Sequence, residues 1–214
     1  MLNFTATVPI IDGPPVAALP VSLVRLVDPD EADPIAAPAL ESGMAQYGMA
    51  LNTWRALLHR PDIFNAYLPY LRAVVGPGRV DGRIKDLAAI AVAISNGCRY
   101  SASHRVSAGL KSGISPEEME ALAADRLDDF SPDERLAIRY ARELTLKPPV
   151  TRHADNPQGV DLALLTELRE TFDEPQIVEL TASISLWNAL TRFHRVMDLP
   201  LDMPAPPPAI DAVL

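Results

Sequence analysis

The side chains best suited to chemistry lie close together, between Asp86 and Arg105. This stretch holds the only cysteine of the chain, Cys98. A guanidinium, a phenol, a hydroxyl, an imidazole and a second guanidinium follow it within eight residues, on Arg99, Tyr100, Ser101, His104 and Arg105. A thiol can act as a nucleophile and an imidazole as an acid or base. An arginine beside them can clamp a carboxylate with two parallel N–H donors. The stretch therefore predicts chemistry on a small anionic molecule.

Helix geometry indicates which of these groups could act together. At about 100° per residue, Arg105 returns to the face of Cys98 after two turns, and Ser101 lies beside both. His104 lies about 120° from Cys98, although it is close to Ser101. We therefore expect the Arg105 guanidinium to lie beside the thiol.

The charge of the chain limits its partners. It has 214 residues, 19 basic and 28 acidic, for a formal net charge of -9. We expect no nucleic-acid binding, because phosphate contacts need clustered lysine and arginine. Residues 72–111 nevertheless carry seven basic and two acidic residues, a net of +5. Such a segment can concentrate a small anion.

Other features exclude several classes of protein. A single cysteine cannot form an internal disulfide, and no apolar run reaches the roughly 18 residues of a membrane-spanning helix. We see no signal peptide and expect a cytoplasmic protein with no membrane partner. Cys98 and His104 are two candidate metal ligands, fewer than zinc usually takes, so we predict no metal and no other cofactor.

Prolines divide the chain into three parts. Residues 1–33 contain five prolines and are predicted to form an arm without long helices. Residues 34–198 are predicted to form one helical domain, and residues 199–214, with five more prolines, an extended tail. Within the domain we predict helices over residues 34–47, 51–59, 62–75, 81–94, 98–111, 161–172 and 173–197, and a loop over 147–159. Ser115 and Ser131 begin two further helices, because each has proline next and glutamate three residues on, the pattern of a capping box.

Residues 45–198 resemble the alkylhydroperoxidase D and carboxymuconolactone decarboxylase superfamily. The resemblance rests on residues 52–64, on the motif in residues 83–111, and on the closing helix in residues 172–198. It implies an all-α, AhpD-like helical bundle between the Pro-rich arms. It also implies a homo-oligomer, whether a dimer, a trimer or higher.

The chain departs from the peroxidase members of that superfamily at the reactive positions. Ser101 stands where they have the second cysteine of a Cys-x-x-Cys pair, so a two-thiol redox cycle is not possible. Asp86 stands at the usual glutamate position. Arg105 stands at the position of the relay histidine, and His104 is one residue earlier. Arginine stays protonated and is a poor proton carrier, which favours binding over relay.

We therefore predict a non-redox enzyme acting on a small unsaturated mono- or dicarboxylate of aromatic-compound catabolism. It could be a cis–trans isomerase that adds a thiolate, a double-bond isomerase, or a decarboxylase. Two alternatives stay open: a single-cysteine peroxidase that forms a sulfenic acid, and a non-catalytic oligomeric member of the superfamily. We assign Cys98 as nucleophile or base, and His104 and Asp86 as acid, base or orienting groups. Arg105 is assigned as the carboxylate clamp. Tyr100 and Ser101 are assigned as hydrogen-bond donors to a developing enolate.

Overall fold

The computed structural model describes residues 22–146 and 159–214. Within these ranges the chain is all-α, as predicted, and has no strand. Most of the predicted 147–159 loop and the first 21 residues of the predicted arm lie outside them. No helix in the described ranges has both the length and the apolar character needed to cross a membrane. The α-helices are α1 (Ala37–Tyr47), α2 (Asn52–Leu57), α3 (Pro61–Val75), α4 (Gly82–Ser95), α5 (Arg99–Lys111), α6 (Pro116–Ala123), α7 (Pro132–Leu146), α8 (Leu162–Thr171), α9 (Glu174–Met197) and α10 (Pro208–Asp211).

One of the two predicted capping boxes is complete and the other is half formed. The Ser115 hydroxyl accepts the Glu118 N–H at 3.2 Å, and the Glu118 carboxylate accepts the Ser115 N–H at 2.7 Å. At α7 the Glu134 carboxylate accepts the Ser131 N–H at 2.9 Å. The Ser131 hydroxyl, however, donates to Asp133 instead of accepting a helix N–H. The neighbouring carboxylate is the stronger acceptor, and it takes over the cap.

Helix α4 is the centre of the core. Every residue from Leu87 to Ala93 is 0 or 1 % exposed, and the helix packs against α5, α7 and α9. Small residues allow the close approach of α5. A Cβ on Gly109 would lie only 3.0 Å from Ile114 and 3.2 Å from Ile90. This packing fixes the helix that carries the reactive residues.

The ends of the described chain lie against the helices. Residues 22–28 form no helix, and the Leu23 N–H donates to the Met197 carbonyl at 2.9 Å. The predicted extended tail ends in the short helix α10, which the proline count did not predict. Pro208 is its first residue, a position where proline is well tolerated, and Ile210 is fully buried. The tail is therefore part of the packed body.

A buried ion pair holds the α3–α4 turn on α9. The Lys85 ammonium donates to the Glu179 carboxylate and to the Gly76 carbonyl, both at 2.5 Å. The second Glu179 oxygen accepts the Arg79 N–H at 2.6 Å. Burial opposes ionisation of Glu179, but the hydrogen bond from Lys85 lowers its pKa below the ordinary value.

Candidate active site

Cys98 is the N-cap of α5, where the sequence predicted the start of the reactive helix. Its backbone is extended, with φ -108° and ψ 95°. Its Sγ accepts the Ser101 N–H at 3.5 Å and donates to the Ser101 hydroxyl at 3.2 Å. The residue is 1 % exposed. The thiol is thus held by the first turn of the helix it precedes.

Ser101 links the thiol to a histidine of the last long helix. Its Oγ lies 2.8 Å from Nδ1 of His194, and the other ring nitrogen lies 3.0 Å from the Thr53 hydroxyl. Burial, helped by the charges of His104 and Arg105, lowers the pKa of His194 to about 3. His194 is therefore neutral at physiological pH, with one ring nitrogen donating and the other accepting.

Hydrogen bonds from two directions meet at Asp202, in the tail. The Tyr100 hydroxyl donates to its Oδ2 at 2.7 Å, and the Asn52 N–H donates to the same oxygen at 2.5 Å. Nε2 of His104 lies 2.5 Å from Oδ1. Burial opposes ionisation, yet the hydrogen bond from His104 lowers the pKa of Asp202. A buried carboxylate thus orients a phenol and an imidazole.

Arg105 has few partners for a buried cation. Its Nη1 lies 3.4 Å from an Asp86 oxygen, and its guanidinium carbon lies 4.1 Å from the centre of the Trp187 ring. The residue is 7 % exposed, and its buried Nε has no hydrogen-bond partner within residues 22–146 and 159–214. Burial lowers the pKa of Arg105, and the Asp86 charge opposes that shift. Burial likewise raises the pKa of Asp86, against the attraction of Arg105.

The predicted site residues line three cavities. Asp86, His104 and Arg105 line one of ≈ 650 Å³, together with Arg72 and Lys111. His104 and Arg105 also line an adjoining space of ≈ 30 Å³. Cys98 lines another cavity, of ≈ 390 Å³. The small space is also bounded by Tyr47, Thr53, Tyr67, Tyr100, Trp187 and His194, and the Cys98 cavity by Arg99, Tyr100, His194, Arg195 and Asp198.

The structure brings some of the predicted residues together and separates others. Cys98 contacts Ser101, and Asp86, His104 and Arg105 share a cavity. Tyr100 is in both groups, since it lines the Cys98 cavity and contacts Asp202. The expectation that Arg105 lies beside Cys98 was wrong, because its guanidinium contacts Asp86 and Trp187 instead. Cys98 precedes the helix in an extended conformation, so helical angles do not describe its direction.

Three polar residues of the site were not predicted. His194 and Thr53 complete the bonds between Ser101 and Tyr100, and Asp202 holds His104. All three are far from α5 in sequence and have no motif spacing relative to it. Asp202 also lies among tail prolines. Among the residues described, no group of three or more His, Cys, Asp or Glu could hold a metal ion.

Two sequence comparisons match part of the chain to known proteins. Residues 61–143 match the carboxymuconolactone decarboxylase family. Over 71 residues the chain is 42% identical to the uncharacterized protein YnjA of Escherichia coli K12. That match covers 33% of this chain and 34% of YnjA, so it spans about a third of the curated relative.

Solved structures share the fold over most of the chain. One is the alkylhydroperoxidase AhpD core of an uncharacterized peroxidase-related protein from Ralstonia eutropha JMP134, with a TM-score of 0.70 and 18% identity. It covers 91% of this chain and 96% of that one. Another is a cysteine-to-alanine variant of the debrominase Bmp8 in complex with 2,3,4-tribromopyrrole, with a TM-score of 0.63 and 18% identity over 90% and 97% of the two chains. At this identity the likeness shows the fold. The family match covers residues 61–143, and it agrees with the resemblance to the alkylhydroperoxidase D and carboxymuconolactone decarboxylase superfamily.

Proposed function

We propose that this chain is a non-redox enzyme that moves a proton on a small unsaturated carboxylate, as a double-bond isomerase or a decarboxylase. The observation that carries the proposal is the state of Arg105. Its guanidinium is buried, and among the described residues its Nε has no hydrogen-bond partner and its one ion pair is 3.4 Å long. A buried donor without an acceptor is costly. A carboxylate supplies two acceptors in the planar geometry that a guanidinium fits.

The surroundings of Arg105 favour an anionic organic molecule. The Trp187 ring lies against the guanidinium, with 4.1 Å between the guanidinium carbon and the ring centre, and attracts its positive charge. Arg72 and Lys111 line the same ≈ 650 Å³ cavity, whose other walls include Leu68, Leu71 and Met203. Cations lining a cleft concentrate an anion, and apolar walls accommodate its carbon skeleton.

Two groups in this cavity can move protons. His104 is held by Asp202 through Nε2, and its Nδ1 has no hydrogen-bond partner among the described residues. We assign His104 as the base that removes a proton from the carbon next to the bound carboxylate or carbonyl. Asp86 has a raised pKa, because it is buried. A carboxylate bound at Arg105 would favour its protonated form further, so we assign Asp86 as the acid that returns a proton at the far end of the double bond.

The same groups would support decarboxylation. The bond to the leaving carboxyl group breaks, carbon dioxide leaves, and the electron pair moves into a conjugated carbonyl. The resulting enolate then takes a proton from Asp86 or from the imidazolium form of His104, which carries a hydrogen on Nδ1 as well. The match to the carboxymuconolactone decarboxylase family makes aromatic-compound catabolism the proposed setting.

Cys98 has no covalent role in this proposal. Thiolate addition would require Cys98 to reach a molecule held by Arg105, whereas the two residues line different cavities. Ser101 and Tyr100 then support the site through hydrogen bonds to His194 and Asp202.

A substrate screen tests the proposal. The chain is incubated with muconates, oxalo-dienoates and unsaturated lactone acids, and the products are followed by NMR and by carbon dioxide release. We expect a double-bond shift or decarboxylation that is lost in His104→Gln and retained in Cys98→Ala. Loss of turnover in Cys98→Ala with retention in His104→Gln would favour thiolate addition. No turnover of any of these carboxylates would reject the proposal.

A single-cysteine peroxidase is the second candidate. It is favoured by the position of Cys98 at a helix N-terminus beside a cavity of ≈ 390 Å³. A hydroperoxide would oxidise the Cys98 thiolate to a sulfenic acid and leave as an alcohol, and an external thiol would reduce it back. Loss of the free thiol with a stoichiometric amount of cumene hydroperoxide, much faster than for free cysteine, would support this candidate. A rate equal to that of free cysteine would exclude it.

A further inference from the structure

We propose that Asp202 is a positioning residue that keeps the His104 proton on Nε2 and so presents Nδ1 to the cavity as the base. The inference deepens the proposed function, and it rests on that function for its catalytic meaning. Asp202 itself does not line the ≈ 650 Å³ cavity that holds Asp86, His104 and Arg105. It acts through His104.

The two oxygens of Asp202 have different tasks. Oδ2 accepts the Asn52 backbone N–H and the Tyr100 hydroxyl. A backbone N–H can only donate. The Tyr100 oxygen already accepts the Thr53 N–H at 3.2 Å and the Thr53 hydroxyl at 3.2 Å, so its own proton points at Asp202. Among the described residues, Oδ1 contacts His104 alone.

This arrangement fixes the tautomer of His104. An ionised carboxylate is acceptor-only, so Nε2 must carry the hydrogen in the 2.5 Å contact with Oδ1. In the neutral imidazole the lone pair is then on Nδ1. His104 lies on the cavity wall, with 10 % of its side chain exposed against 3 % for Asp202. When an aspartate accepts a hydrogen bond from one nitrogen of an imidazole, the other ring nitrogen is left to accept a proton.

The tail is built to hold this aspartate in place. The Asn52 side chain donates to the Pro200 carbonyl at 3.0 Å, two residues before Asp202. The Leu199 N–H donates to the His194 carbonyl at 3.3 Å, and Ile210 is fully buried. Asp202 is thus fixed on both sides, which a residue of an unattached tail would not be.

Replacing the carboxylate by its amide gives a sharp expectation. In Asp202→Asn the Asn52 N–H and the Tyr100 hydroxyl still require an acceptor, so the amide oxygen must take the Oδ2 position. The amide NH2 then faces Nε2 of His104, which has to accept. The imidazole hydrogen moves to Nδ1, and the base is lost from the cavity.

Nitrogen NMR of the uniformly 15N-labelled chain at pH 8 tests this directly and needs no substrate. The chain has four histidines, and His104 is assigned by comparison with His104→Gln. We expect the Nε2–H tautomer in the wild type and the Nδ1–H tautomer in Asp202→Asn. Asp198→Asn is the matched control, because it makes the same change four residues earlier, at the C-terminal end of α9, and it should leave the wild-type tautomer.

Kinetics with a carboxylate found in the screen supply the second readout. Asp202→Asn should lower kcat by about 100-fold or more and change KM by less than about threefold, while Asp198→Asn matches the wild type. An Nδ1–H tautomer in the wild type, or an unchanged tautomer in Asp202→Asn, would overturn the inference. The wild-type spectrum is a sufficient test by itself, even if the variant does not fold. A screen without turnover would reject the proposed function and leave the tautomer result standing.

Discussion

Arg105 combines deep burial with incomplete hydrogen bonding, and substitution should show which of these matters. Lysine keeps the charge but loses the planar pair of donors. We expect Arg105→Lys to raise KM by about tenfold or more, with a smaller effect on kcat, in steady-state assays of a carboxylate substrate.

Arg99→Lys is the control, since Arg99 lies half-exposed against Asp211 at the rim of the other cavity. Equal KM values for Arg105→Lys and the wild type would mean that this guanidinium does not hold the substrate.

His194 should make the fold sensitive to acid. Its pKa in the folded protein is about 3, below the ordinary 6.5. As the pH falls below 6.5, His194 is protonated in the unfolded chain but stays neutral in the folded one, so stability is lost between pH 6.5 and 3. In urea unfolding, the free energy of unfolding of the wild type should fall by about 2 kcal/mol more than that of His194→Gln between pH 7 and pH 5. The same pH dependence in both proteins would show that His194 takes up its proton normally in the folded state.

At this scale the sequence predicted the residues of one helix and missed their partners. Cys98, Tyr100, Ser101, His104 and Arg105 are close in sequence, so their chemistry can be recognised together. Their partners come from α2, α9 and the tail. Nothing local marks Thr53, His194 or Asp202 as polar contacts, because only tertiary packing brings them to α5.

The caps of α6 and α7 allow a paired test at the scale of elements. The Ser115 hydroxyl accepts a helix N–H, whereas the Ser131 hydroxyl donates to a side chain. We expect Ser115→Ala to lower the free energy of unfolding by about 1 kcal/mol, and Ser131→Ala by less than about 0.5 kcal/mol. Chemical denaturation of both variants measures the difference. Equal losses would contradict the assignment of the cap.

Most helices were predictable because residues next to their ends in the sequence determine where they begin. Asp81, Ser115, Asp161 and Asp173 each accept a backbone N–H at the start of a helix. Such signals need no knowledge of the rest of the chain. The first predicted helix, over residues 34–47, begins later, at Ala37, because Asp33 closes a turn by accepting the Ile35 N–H at 2.9 Å. Helix α10 was missed because a Pro-rich composition favours extended chain, and only packing against α6 explains four residues of helix there.

The buried pair of Lys85 and Glu179 connects three parts of the whole molecule: α4, the turn before it and α9. Their side chains are 4 and 14 % exposed. Removing the ammonium leaves a buried carboxylate without its main partner, so Lys85→Met should cost about 3 to 5 kcal/mol in equilibrium unfolding. Glu31→Gln breaks the Arg25–Glu31 pair, which is 65 and 57 % exposed, and should cost less than about 1 kcal/mol. Comparable losses from the two changes would show that burial adds nothing here.

The unsatisfied guanidinium of Arg105 also makes the folded state a reporter of its own ligand. Any molecule that binds the native chain and not the unfolded one raises the free energy of unfolding, by about 2.7 kcal/mol at a hundredfold excess over Kd. The melting temperature rises with it. Thermal scanning against a panel of organic acids should therefore rank them by fit, before any product has been sought. Compounds in which the acid group is replaced by a neutral amide should leave the melting temperature where it was, and a shift from both members of such a pair would place the ligand away from Arg105.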